Sequence, residues 1–262
     1  MEKLIVKATY VLRTKEEMVV QPFSSKISRT AVLSFSNTYK SAISSTEPLK
    51  PFRVTALHVG KKPLYSRGFV TLHKDKEYRF SVTSLLDDFL QEVISNSTVD
   101  FTVYNKQLRM ELEKVEVSKV DQLTLPDSRL YRIEFLTPTL LQVPRPKFRR
   151  LRNRYVLFPY SPLLMASLTS HWNKFMHPAI VRTTGSRALY YFREVDYQLE
   201  PITVNYDNGS VRGFVGWALF SLIARKGTKL RDMVRTLLGY ANFVGVGKSR
   251  SIGFGEVEAK PG

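Results

Sequence analysis

Between Gly245 and Gly255 the chain reads Gly-Val-Gly-Lys-Ser-Arg-Ser-Ile-Gly-Phe-Gly, four glycines and two cations in eleven residues. Glycine reaches positive φ and lets backbone N–H groups approach a ligand with no Cβ in the way. Successive N–H groups in such a loop make a concavity that binds anions. Gly245, Gly247, Gly253 and Gly255 supply the backbone freedom, Lys248 and Arg250 the charge, and Ser249 a hydroxyl donor. That set predicts phosphate binding. The spacing is not that of a nucleotide P-loop, which needs four residues between its first glycine and Gly-Lys-Ser/Thr, and then a helix. Nor is it the dinucleotide fingerprint, which opens a βαβ unit and has an acidic residue about 20 positions later. With both excluded, the backbone of a polyanion is the expected ligand.

Other cations fit the same chemistry. Arg145, Lys147, Arg149, Arg150, Arg152 and Arg154 put six charges into ten proline-punctuated residues, with Phe148 interleaved as a stacking group. Such a run clamps a backbone without reading sequence. Lys26 and Arg29 fall in the first turn of an expected helix, where a cation opposes the macrodipole. An anion docked at that helix end would remove the conflict. Two solvated surface cations are the bland alternative. Arg231 is placed similarly, early in a helix just ahead of the glycine loop, and is a third candidate for catalysis. An exposed face pairing with Asp232 is its bland reading.

The whole chain agrees. Its 262 residues carry 40 Lys and Arg against 23 Asp and Glu, a formal charge of +17. Such an excess implies a polyanionic partner, and nucleic acid is the first candidate. An anionic membrane is the rival. The sequence shows no basic amphipathic helix with a bulky apolar face and no apolar run near 20 residues. There is no cysteine, so no disulfide and no thiolate site. The four histidines, His58, His73, His171 and His177, have no metal-ligand spacing, so neither metal nor cofactor is expected. The N-terminus runs straight into a strand pattern, and a cytoplasmic protein is the simplest expectation.

The elements that must position these residues follow from periodicity. Leu4, Val6, Ala8, Tyr10 and Leu12 alternate as a strand. A helix is expected from about Lys26 to Ser44, then strands at Phe52–Leu57 and Tyr78–Ser84. A short helix at Leu85–Ser95 leads to a hairpin of Val99–Tyr104 and Leu108–Val120. The second half repeats the order. A strand at Leu130–Leu136 precedes a helix capped by Ser161 with Pro162 at its first position. A strand at Ala188–Leu199, ending before Pro201, turns through Asp207-Asn-Gly209 into Val211–Ala224. A helix at Thr228–Tyr240, the glycine loop and a last strand at Gly253–Ala259 close the unit. The fold class is therefore α+β, two ferredoxin-like βαββαβ domains in tandem, 1–125 and 126–262.

At this level the chain resembles the CRISPR repeat-processing endoribonucleases of the RAMP superfamily, whose domains are RRM-like. Phe135-Leu-Thr-Pro-Thr139, Ser167-Leu-Thr-Ser-His-Trp-Asn-Lys-Phe175, Gly213-Phe-Val-Gly-Trp217 and above all Leu237 through Gly255 carry the likeness. The resemblance implies that the glycine loop binds CRISPR repeat RNA in the precursor transcript. It implies a metal-independent cut by the neighbouring 2′-hydroxyl, leaving a 2′,3′-cyclic phosphate and a 5′-hydroxyl. Catalytic groups would come mainly from the first helix and the loop before it. Many family members use a histidine there, and this sequence departs from them: no histidine lies between Phe23 and Lys50. Charge stabilisation by lysine and arginine is the fallback. A non-catalytic repeat-RNA binder, a subunit of a CRISPR effector complex and a homodimer are also compatible with the family.

Overall fold

A computed structural model describes residues 3–144, 153–178, 186–207 and 209–262. The chain packs as two compact units. The first comprises Met1–Val120, Thr203–Val211 and Arg250–Gly253, and the second Asp121–Ile202, Arg212–Ser249 and Phe254–Gly262.

In the first unit, β1 (Leu4–Thr14) lies at the centre of an antiparallel sheet. Val6, Ala8, Tyr10 and Leu12 of β1 are buried in the core. One side of β1 pairs with β3 (Tyr78–Ser84), which in turn pairs with β2 (Phe52–Val54). The other side pairs with β5 (Lys106–Lys119), which forms a hairpin with β4 (Thr98–Val103). This is the ferredoxin-like order, with its fourth strand extended into a hairpin. Tyr10 stacks on Phe80 at 5.5 Å, and Phe52 meets Phe89 edge-on at 5.3 Å. Each such pair adds about 1 kcal/mol beyond its buried area.

The expected single helix at 26–44 is two helices, α1 (Ser25–Phe35) and α2 (Asn37–Ser44). Ser36 breaks the run in an extended conformation, and its Oγ accepts the Tyr39 N–H at 3.0 Å. Glu92, on α3 (Asp88–Ser95), completes the new cap. Its carboxylate accepts the Thr38 N–H at 2.9 Å and the Ser36 and Thr38 hydroxyls. A serine cap with a carboxylate at the first turn restarts a helix where periodicity alone shows no seam.

In the second unit, β6 (Leu130–Thr139) is flanked by β8 (Gly209–Leu222) and β9 (Val257–Pro261). β7 (Phe192–Tyr206) forms the edge beyond β8. Helices α4 (Ser161–Phe175), α5 (Ser186–Tyr191) and α6 (Lys229–Val244) complete it. The α+β class and the repeated ferredoxin-like order are as expected.

Local expectations change in this unit, among them the last strand, which was expected from Gly253 and starts at Val257. Ser161 is the first helical residue rather than the cap, and its N–H is satisfied by Glu194 Oε1 at 3.0 Å. Residues 186–191 are helical, so the strand expected from Ala188 starts at Phe192. That strand also continues through Pro201 to Tyr206. An edge strand tolerates proline because its outward side needs no ladder N–H. Among the described residues no helix is long and apolar enough to cross a membrane.

Candidate nucleic-acid interface

The first turn of α1 has no acidic residue. Ser24 precedes it but does not cap it. Its hydroxyl donates to Leu64 O at 2.6 Å and accepts the Leu57 N–H at 3.0 Å, which fixes the helix start against the sheet connection. Lys26 projects from this turn and Arg29 from the next, and both meet the tip of the β7–β8 hairpin, which belongs to the same unit. Lys26 Nζ lies 3.0 Å from Asp207 Oδ1. That hydrogen bond, above all, holds the Lys26 ammonium above its ordinary pKa. Lys26 is therefore a fixed cation at neutral pH, suited to stabilising charge and unsuited to removing a proton. Arg29 Nη1 donates to Tyr206 Oη at 3.3 Å.

Tyr206 is 9% exposed and sits edge-on to Phe23 at 6.2 Å. Burial raises its phenol pKa, so it stays protonated. The Tyr39 hydroxyl donates to Ser251 O at 2.7 Å. Burial raises the pKa of Tyr39 as well, and the nearby Arg29 charge works against that rise. Gly253, with φ +101°, packs onto the same turn: a Cβ there would stand 2.3 Å from Ser25 Cβ. Among the described residues, the buried Ser25 Oγ, Ser28 Oγ and Arg29 Nε find no hydrogen-bond partner. So α1, the hairpin tip and residues 250–253 gather three cations (Lys26, Arg29 and the buried Arg250), two tyrosine hydroxyls and unsatisfied polar atoms in one unit. Lys26 and Arg29 are both half-buried and paired.

The glycine loop differs from the open concavity that its composition predicts. In the second unit, Gly247 N–H donates to Ser167 Oγ at 2.8 Å and Lys248 N–H to Leu140 O at 2.9 Å. Val246 N–H donates to Gly255 O at 2.8 Å and Gly255 N–H to Pro138 O at 3.1 Å. Gly247 has φ +80°, and a Cβ there would lie 2.5 Å from Leu140 O. The glycines thus let backbone lie on backbone, and their N–H groups are used within the protein. Lys248 is half-buried, Ser249 is exposed with φ 62°, and Arg250 is 6% exposed. Of the loop's expected phosphate ligands, Lys248 and Ser249 reach the surface with their side chains and Arg250 is buried.

Arg231 is corrected most firmly. It is 4% exposed, and its guanidinium donates to Asp127 Oδ1 at 2.5 Å, Ser128 O at 2.7 Å, Leu222 O at 3.1 Å and Ala224 O at 2.7 Å. It ties the start of α6 to the segments around Asp127 and Leu222, so its guanidinium is engaged within the protein and lacks the exposed face that its position suggested. Arg235 pairs with Asp232 at 2.9 Å and Leu125 O at 2.9 Å. Of the basic run, Arg154 is exposed, and its carbonyl accepts the Val143 N–H at 3.0 Å. Arg145, Lys147, Arg149, Arg150 and Arg152 lie outside the described residues.

No histidine lies on α1 itself, although His58 follows Leu57, whose N–H bonds to Ser24 at the start of that helix. His58 Nδ1 meets Ala56 O at 3.0 Å, and His73 pairs with Glu17 at 2.7 Å. His171 is buried against Tyr240, with its Nδ1 2.7 Å from the hydroxyl. Among the described residues no three metal-ligating side chains cluster. Sequence reasoning missed Tyr39, Tyr206 and Asp207 as parts of the site. The only signal at 206–209 was a turn motif, which says nothing of where the turn docks.

The two described sheets form a tandem ferredoxin-like α+β fold. Residues 6–118 match the Cas6 N-terminal domain, and residues 133–257 match CRISPR-associated endoribonuclease Cas6. The chain belongs to the Cas6 family of endoribonucleases. CRISPR-associated endoribonuclease Cas6 2 of Saccharolobus solfataricus is 24% identical to it, over 97% of this chain and 95% of its own. A Cas6 product complex shares the fold with a TM-score of 0.71 at 19% identity, covering 99% of this chain and 100% of the other. Thermus thermophilus Cas6 does so with a TM-score of 0.67 at 15% identity, covering 99% of each chain.

Proposed function

We propose that this chain binds CRISPR repeat RNA and cuts precursor transcripts into guide RNAs without a metal ion. The 2′-hydroxyl oxygen attacks the adjacent phosphorus, the P–O5′ bond breaks, and the products carry a 2′,3′-cyclic phosphate and a 5′-hydroxyl. The proton of the 2′-hydroxyl leaves to solvent, and the departing 5′-oxygen takes one up. One observation carries the reading: in a Cas6-family chain, Lys26 and Arg29 stand together on α1 beside the Arg250–Gly253 turn. In this reading they stabilise charge on the phosphorane, each supplying up to about 3 kcal/mol. Holding the sugar and phosphate in line supplies a further ~7–11 kcal/mol.

Lys248, Ser249 and Arg154, with the basic run before it, hold the RNA backbone. Arg231 has no part in the chemistry. The two domains of the reading are 1–125 and 126–262. A CRISPR effector complex and a second copy are its further partners, in the cytoplasm. The absence of a histidine between Phe23 and Lys50 favours one other reading, a repeat-RNA binder that does not cut. Incubating the protein with its cognate repeat RNA in EDTA and analysing the ends decides between them. A single cut with a cyclic phosphate supports the nuclease, and tight binding of intact RNA supports the binder.

A further inference from the structure

One side chain that fixes Arg29, that of Tyr206, comes from far along the sequence. Residues Thr203–Val211 pack with the first unit although they form the turn of a hairpin in the second half of the chain. Two neighbouring residues of that turn each meet one of the two α1 cations: Asp207 meets Lys26 at 3.0 Å and Tyr206 meets Arg29 at 3.3 Å. Tyr206 is buried, with its ring against Phe23, so its hydroxyl is a stationary acceptor. Arg29 has a long flexible stem, and its Nε has no hydrogen-bond partner among the described residues. The direction of its guanidinium is therefore set at its tip, by Tyr206 on one branch and by the neighbourhood of the Tyr39 hydroxyl.

We propose that Tyr206 is a positioning residue for RNA cleavage, acting through Arg29 by holding its guanidinium in the orientation that meets the phosphate in the transition state. The proposal rests on the nuclease reading above. A rotated guanidinium still attracts RNA, so positioning affects the chemical step and leaves binding nearly unchanged. Misplacement of a catalytic group by about 1 Å costs up to ~10²-fold in rate.

The test is a double-mutant cycle on single-turnover cleavage and RNA affinity, using wild type, Tyr206→Phe, Arg29→Ala and the double variant. Phenylalanine keeps the ring against Phe23 and removes only the hydroxyl. Tyr206→Phe should lower the cleavage rate about tenfold, the value of one oriented hydrogen bond, and change the RNA Kd less than about twofold. In the Arg29→Ala background it should cause no further loss. Cleavage at the wild-type rate in Tyr206→Phe overturns the proposal. So does an equal loss with and without Arg29, which would mean that Tyr206 acts on its own or through the fold. If the wild-type protein binds repeat RNA without cutting it, the nuclease reading fails and this inference with it. Wild-type cleavage with an unaffected Tyr206→Phe variant removes the inference alone.

Discussion

Lys26 and Arg231 occupy the same kind of position, a cation in the first turn of a helix, yet the structure gives them different work. Lys26 remains at a helix end that carries no acid, and Asp207 holds its charge on. Its raised pKa means that the ammonium persists from acid through neutral pH and is lost only above its ordinary range. Lys26→Ala should therefore reduce the cleavage rate by about 10²-fold. The pH–rate profile of the wild type should show no limb from Lys26 between about pH 6 and about pH 9. Arg231 is enclosed by an aspartate and three carbonyls. Arg231→Met should lower stability by about 2 kcal/mol in urea unfolding, since the buried carbonyls of Ser128, Leu222 and Ala224 lose their donor. Cleavage per folded molecule should stay near wild type. The sequence showed both cations but not the burial that separates them, because Asp127 and Leu222 approach only through tertiary packing.

Secondary structure was legible wherever a residue's neighbours in sequence decide it. The alternation of β1 and the turn signal between β7 and β8 are local, and β1 forms while β7 ends at Tyr206 and β8 begins at Gly209. The break at Ser36 depends on Glu92, and the start of α4 on Glu194, so each needs a partner far away in sequence. Pro201 reads as a stop until β7 is known to be an edge strand. The glycine loop was found from composition, but its glycines serve close backbone packing more than ligand approach. Gly247→Ala tests this. A Cβ 2.5 Å from Leu140 O at φ +80° should cost about 2 kcal/mol of stability, measured by urea unfolding, before any loss of RNA affinity is considered. If Gly247→Ala keeps full stability and loses RNA binding alone, the loop is an open phosphate cradle after all.

For the molecule as a whole, a formal charge of +17 on a Cas6-family fold sets how RNA binding responds to salt. Affinity for repeat RNA should fall at least ~10²-fold between about 50 mM and about 200 mM monovalent salt. Lys248→Ala should reduce the slope of log K against log salt by about 1, as expected for one lost phosphate contact. The central claim is that the RNA supplies its own nucleophile at a site built from lysine and arginine. The most direct measurement compares repeat RNA with the same RNA carrying one 2′-deoxy residue immediately 5′ of the cut, both in EDTA under single-turnover conditions. The account predicts cleavage of the first to a cyclic-phosphate end, and binding without cleavage of the second. Cleavage of the deoxy RNA at a comparable rate would show that the nucleophile comes from elsewhere, and would contradict the mechanism.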